Sequence, residues 1–188
     1  MKIVYDNIIF SLQKSGGASV YWMEFISRVK NKNIIFYEQP NQNLFAKMID
    51  YSKIEESKLP IKILRYLPFV KSVEKNSIFH SSHYRVSFSY RVKNITTVHD
   101  FTYEYYVKGL ARFVHTLQKR FAIYFSDGVI CISENTKRDL IKFCPFVNQK
   151  KIKVIYNGIS EQFSILENKQ QLLNKNFPEL KNSKYFLF

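Results

Sequence analysis

Short apolar runs alternate along this chain with longer stretches in which apolar residues recur every three or four positions. KIVYD (2–6), NIIFYE (33–38), NSIFH (76–80), NITTV (94–98), GVICIS (128–133) and KIKVIYNG (151–158) read as β-strands, short and β-branched or aromatic enough to be buried on both faces. Between them, residues 19–29 carry Val20, Met23, Phe25 and Ile26 at helical spacing. Residues 42–58 do the same with Leu44, Met48 and Tyr51. Residues 109–125 form a broader stripe of Leu110, Phe113, Val114, Leu117, Phe121 and Tyr124, and NTKRDLIKF (135–143) is a further helix. Thr136 and Asp139 have the spacing of a capping box. KILRYLPFV (62–70), interrupted by Pro68, fits strand, short helix or loop equally.

This order of elements predicts an α/β domain with a largely parallel sheet flanked by helices. Such sheets bind ligands beyond the carboxyl ends of their strands, so polar residues at strand ends are the candidates for chemistry. Gly16-Gly17, His80, His83, His99-Asp100 and Ser133-Glu134 all stand at such ends. Gly16-Gly17 suits either a close approach of backbone to ligand or a bare chain reversal before a helix, and it has neither the GxGxxG nor the Walker A spacing. His99 can donate a hydrogen bond to a polar substrate. Asp100 can orient donors or accept a proton, although adjacent side chains on extended backbone diverge. Ser133 and Thr136 suit helix capping, and Glu24 is either an exposed helix residue or a group reaching the cleft.

Composition narrows the class. The 188 residues are 46% hydrophobic and 16% aromatic, which excludes a disordered basic tail and permits a core burying roughly 70% of the unfolded surface. A net charge of +14 predicts attraction to anionic surfaces without naming one. Nucleic acid is the weaker partner, because most aromatics fall within strand or helix patterns. An anionic membrane surface is the other. The two cysteines, Cys131 and Cys144, have no CxxC spacing, so a metal site is not expected and reduced thiols in the cytoplasm are. No segment has the uninterrupted apolar length of a membrane span or the layout of a signal peptide.

Taken in order, SLQKSGGASVYWMEFISRV, FHSSHYR, TVHDFTYEY, SDGVICISENTKRDLIKF and KIKVIYNGISEQF resemble the N-terminal domain of retaining family-4 glycosyltransferases of the GT-B fold. The resemblance covers residues 1–163. It implies a Rossmann-like acceptor-side domain, one half of a GT-B architecture, followed by a linker (164–188) into a donor-binding domain of which SKYFLF (183–188) is the entry. It also implies transfer of a sugar, with retention, from a nucleoside-diphosphate sugar to a hydroxyl acceptor, a saccharide or a lipid-linked sugar. No cofactor is expected beyond that donor. Gly16 and Gly17 match the loop approaching the donor phosphates or sugar, His99 the cleft histidine that contacts the donor sugar with Asp100 beside it, and Glu134 the start of a cleft-facing helix. The chain by itself is expected to be catalytically incomplete. A non-catalytic carbohydrate- or partner-binding remnant is the alternative, and a nucleic-acid-binding domain ranks below it.

Overall fold

The computed structural model describes residues 1–30, 33–158 and 167–180. The chain divides into two units, Met1–Asn157 and Gly158–Phe188. In the first unit the elements run β1 (Ile3–Asp6), α1 (Ile9–Leu12), α2 (Gly17–Ser27), β2 (Ile34–Tyr37), β3 (Lys53–Ile54) and α3 (Ile61–Leu64). They continue with β4 (Ile78–Ser81), β5 (Lys93–Val98), α4 (Thr102–Tyr106), α5 (Gly109–Phe125), β6 (Gly128–Cys131), α6 (Glu134–Phe143) and β7 (Ile152–Val154). The second unit contains α7 (Lys169–Asn176) and a 3-10 turn at Pro178–Leu180. The SKYFLF segment lies outside the described residues.

All seven strands are parallel, in the order β3-β2-β1-β4-β5-β6-β7. Period-two alternation explains why the strands are apolar throughout: Val4 packs on one face with Phe69, Phe79 and Val92, while its neighbour Tyr5 packs on the other with Phe10, Trp22 and Ile26. A third cluster joins Val98 and Val129 to Ala122 and Ile123 of α5 and Leu140 of α6. The chain leaves β1 in one direction to β2 and β3, then returns to its other side at β4. That reversal opens a crevice beyond the carboxyl ends of β1 and β4, where the Gly16-Gly17 loop begins α2.

Several helical readings change in the structure. Residues 42–58 form no α-helix. Asn43 Oδ1 accepts from the amides of Phe45 and Ala46 while its Nδ2 donates to Gln13 O, and Asn41 Oδ1 accepts from the Asn43 amide. These side-chain turns satisfy the backbone locally and compete with helix formation, so only a 3-10 turn (Ala46–Met48) forms and Leu44 and Met48 stay exposed. In α2 the buried residues are Ser19, Trp22 and Ile26, and Val20 faces outward. The 62–70 segment yields the short helix α3. Helix α5 spans 109–125 as its periodicity predicts, yet it is rotated so that Lys119, Ala122 and Ile123 are buried and Leu110, Phe113, Leu117, Phe121 and Tyr124 are exposed. The cap of α6 is Ser133, whose Oγ accepts from the Thr136 amide at 3.1 Å, so the expected box from Thr136 to Asp139 does not form.

Candidate functional site

The rim at the strand ends is built on buried polar groups. Asp6, the last residue of β1, accepts from Ser81 Oγ (2.8 Å) and from Arg85 Nη1 (2.9 Å). Arg85 also makes a fork with Glu56 at 2.9 and 2.7 Å and donates to Leu67 O. All three charged side chains are essentially inaccessible, and a buried guanidinium so fully matched ties the loops after β1, β3 and β4 into one unit. Asn7 continues the rim: its Oδ1 accepts from Trp22 Nε1 (2.7 Å), and its Nδ2 donates to Tyr51 Oη (2.7 Å). Tyr51 donates to Glu38, which also holds Lys53. No sequence signal separated these groups from ordinary loop polar residues, because their partners lie 13 to 79 positions away.

On this base stands the start of α2. Gly16 is its N-cap and supplies no side chain to the first-turn amides, while Ser19 Oγ donates back to Gly16 O at 2.9 Å. A Cβ on Gly17 would meet nothing within 4 Å, so there is open space beside the first turn, whose leading N–H groups have no partner within the helix itself. A Cβ on Gly16 would come within 2.8 Å of Gln13 Oε1, the end of a side chain able to swing away. An uncapped helix start of this kind favours negative charge through its unpaired amides and its dipole.

His99 follows β5 and meets α2 edge-on, its ring centroid 4.8 Å from that of Tyr21 at 85°. Its backbone carbonyl accepts from Thr136 Oγ1 at 3.2 Å, which brings the start of α6 to the same place. Burial holds the imidazole pKa below its ordinary value, with Asp100 partly opposing, so His99 is neutral at physiological pH. The Asp100 side chain turns elsewhere: its Oδ1 accepts from the Thr102 amide at 2.9 Å and shapes the start of α4. Beneath this loop Lys119 Nζ donates to Asp100 O and to Glu104 Oε2, both at 2.8 Å, and lies 4.4 Å over the Phe101 ring. The buried lysine of α5 is therefore the post on which the His99-Asp100 loop rests. Glu134 is exposed in the first turn of α6, 3.9 Å from Lys137.

The structure thus gathers the Gly16-Gly17 helix start, His99 and the start of α6 around Tyr21 and Thr136. It does not bring His80 to the rim. His80 is sealed under α2 between Tyr5, Trp22 and Phe25, with Nε2 3.0 Å from Thr97 Oγ1, and burial drives its pKa down to about 3. His83 is half-buried beside Tyr84, its pKa down to about 3 through desolvation and the positive charge of Arg65. Glu24 pairs with Arg28 on its own helix. No group of three or more metal-ligating side chains occurs among the described residues. Cys131 and Cys144 are buried free thiols, each pushed up to about 11 by burial.

A parallel sheet that reverses at β1/β4 and is flanked by helices is a Rossmann-like domain, and its likeness to known proteins makes it the N-terminal half of a GT-B type fold. The family model for Glycosyltransferase Family 4 matches residues 15–163, and the chain belongs to that family. Its backbone is similar to Anabaena HepE solved in complex with UDP-glucose, with a TM-score of 0.61 and 14% identity over 97% of this chain and 50% of HepE. HepE with UDP matches with a TM-score of 0.61 and HepE with UDP and glucose with 0.60, each at 14% identity over 97% of this chain and 51% of HepE. At that identity the likeness is one of fold, and the chain spans about half the length of these solved relatives. A comparison with curated proteins found no match.

Proposed function

We propose that the chain is the acceptor-side half of a retaining glycosyltransferase, which transfers a sugar from a nucleoside-diphosphate sugar to a hydroxyl of a saccharide or lipid-linked acceptor. The observation that carries this reading is the meeting of the uncapped α2 start with His99 at one rim, through Tyr21. Family membership and the UDP-glucose bound to HepE support it. In this reading the amides around Gly16 and Gly17 face the donor's diphosphate or sugar, and they stabilise the charge that grows as the diphosphate leaves.

Neutral His99 donates a hydrogen bond to a hydroxyl of the transferred sugar and adds no positive charge that competes for the diphosphate. Asp100 acts through the loop: its carboxylate fixes the backbone that presents His99. It is no nucleophile, and retention needs none where the acceptor attacks from the leaving-group face and the departing phosphate takes the proton. Glu134, exposed at the α6 start, faces the donor from the far side of the crevice. A second, donor-binding domain completes the site, with 1–163 as the acceptor-side domain and 164–188 as the connection to it. The free thiols support a reducing, cytoplasmic location.

The test is sugar transfer by the full-length natural chain together with any separately encoded donor-binding domain, screened over nucleoside-diphosphate sugars and saccharide acceptors. His99→Ala is expected to lower kcat/KM for the donor on the order of 100-fold with the thermal midpoint kept. Saccharide binding without turnover of any donor would replace the enzyme with a carbohydrate-binding remnant.

A further inference from the structure

Helix α5 presents an unusual outer face. Its 17 residues contain no Asp or Glu, and its outward side carries Leu110, Phe113, Leu117, Phe121 and Tyr124, with Leu110 76% and Leu117 57% exposed. The face extends beyond the helix. Phe88 packs edge-on against Phe121 and Phe125 at 6.1 and 5.1 Å, and Phe146 lies 5.9 Å from Tyr124, all of these rings being partly or largely open to solvent. Between Tyr66, Val86, Val114, Leu117 and Phe121 runs an apolar groove of about 300 Å³. Exposed Lys108, Arg112 and Arg120 stand among these apolar groups, and Arg120 lies over the Phe146 ring at 5.4 Å. A contiguous apolar surface of this kind on a protein marks an interface.

We infer that the outer face of α5 is a docking surface for an anionic lipid bilayer. The charge sign selects the occupant. An apolar helix face whose charged neighbours on its own helix are all cationic, beside the neutral Thr116 and Gln118, on a chain of net charge +14, matches an interface whose headgroups are negative and whose acyl chains lie just beneath. The aromatic rings sit at headgroup level, Leu110, Phe113 and Leu117 enter the acyl boundary, and the groove takes one acyl chain. The helix lies in the plane of the interface, for no helix among the described residues is long and apolar enough to cross a membrane. Burying Lys119 inward is what frees this face: the lysine is consumed by Glu104 and Asp100 O, so the apolar residues of α5 exceed what the sheet can cover.

This surface stands apart from the sugar-transfer reading and is tested separately. The full-length chain is sedimented with vesicles of phosphatidylcholine alone and of phosphatidylcholine mixed with phosphatidylglycerol, at low and at physiological salt. Binding to the mixed vesicles and weak binding to phosphatidylcholine alone is expected. The double substitution Phe113→Ser and Leu117→Ser lowers the bound fraction about tenfold with an unchanged thermal midpoint, and Arg112→Glu with Arg120→Glu does the same on the mixed vesicles alone. No binding to either vesicle at low salt overturns the inference. So does a double variant that binds as the parent does. A marked fall in thermal midpoint would show the face packed within the protein, and loss of a dimer mass in the variant would show it covered by a second copy; either result overturns it as well.

Discussion

Helices α2 and α5 solve the same problem in opposite ways. Both lie on the sheet and both are rich in aromatics. Helix α2 turns its tryptophan inward, where Trp22 is 2% exposed and its indole N–H is satisfied by Asn7. Helix α5 turns a lysine inward, 1% exposed, and leaves its large rings outside. The difference lies in what each helix meets. Beneath α2 is an aromatic wall of Tyr5, Phe36 and His80, with Asn7 Oδ1 placed to accept from the Trp22 indole. Beneath α5 stands the carboxylate of Glu104, which cannot be buried alone, and Lys119 meets it. A helix orients by its most demanding partner, and one unpaired buried charge outweighs several half-buried apolar side chains.

The largest effect expected from breaking this contrast is on the α2 side. Trp22→Ala removes a fully buried ring and strands the Asn7 amide oxygen, and should cost about 4 kcal/mol in urea unfolding. A cost below about 1 kcal/mol would mean that α2 is not anchored by this ring.

Next comes the α5 side. Glu104→Gln leaves a buried ammonium with only carbonyl and ring partners, and should cost about 3 kcal/mol. The double substitution Glu104→Leu with Lys119→Met should recover most of that loss, because an apolar pair of similar volume has no desolvation penalty. Failure of the pair to recover would mean that the lysine's bond to Asp100 O, rather than the ion pair, holds the loop.

The smallest effect is graded by pH and compares a histidine beneath α2 with one on α5. His80 under α2 has its pKa driven to about 3, and His115 on α5, less enclosed and stacked 3.9 Å from Tyr103, to about 4. Both folded-state values lie below the ordinary 6.5. The unfolded chain therefore takes up protons that the folded chain refuses. The stability each contributes is present above pH 6.5 and falls as the pH drops towards the folded value, by about 1.4 kcal/mol per pH unit for the enclosed His80 and by less for His115, whose charge solvent screens. Unfolding by urea across that range should show His80→Gln flattening the acid limb, with the His115→Gln limb flattened over a shorter span. An unchanged slope in His80→Gln would contradict its neutral burial.

Much of the architecture was legible in residue order alone. The centres of runs such as NIIFYE and GVICIS, IIFY (34–37) and VIC (129–131), lack the apolar–polar alternation of a strand with one wet face, and parallel strands crossed by helices are the arrangement that covers both faces. The Gly16-Gly17 helix start and the histidine after TTV were legible for the same reason: in such a sheet, strand ends and the loops beyond them face one rim. Ser133 as a cap was visible too, since a hydroxyl before a helical run has a partner three residues away.

What periodicity decides is that a segment is helical and that it has two unlike faces. Which face turns inward depends on groups far away in the chain. For Lys119 that group is Glu104, fifteen positions earlier on another helix, and for Trp22 it is Asn7. The Asp6–Arg85–Glu56 cluster joins the end of β1 to two separate loops and leaves no local trace. The sequence by itself determined the sheet, its parallel sense and which loops follow the strand ends, because those follow from short-range patterns of burial. Only the tertiary structure decided that His80 is core and that the aromatic side of α5 is surface, because both depend on pairing buried charges and hydrogen-bonding groups across long separations.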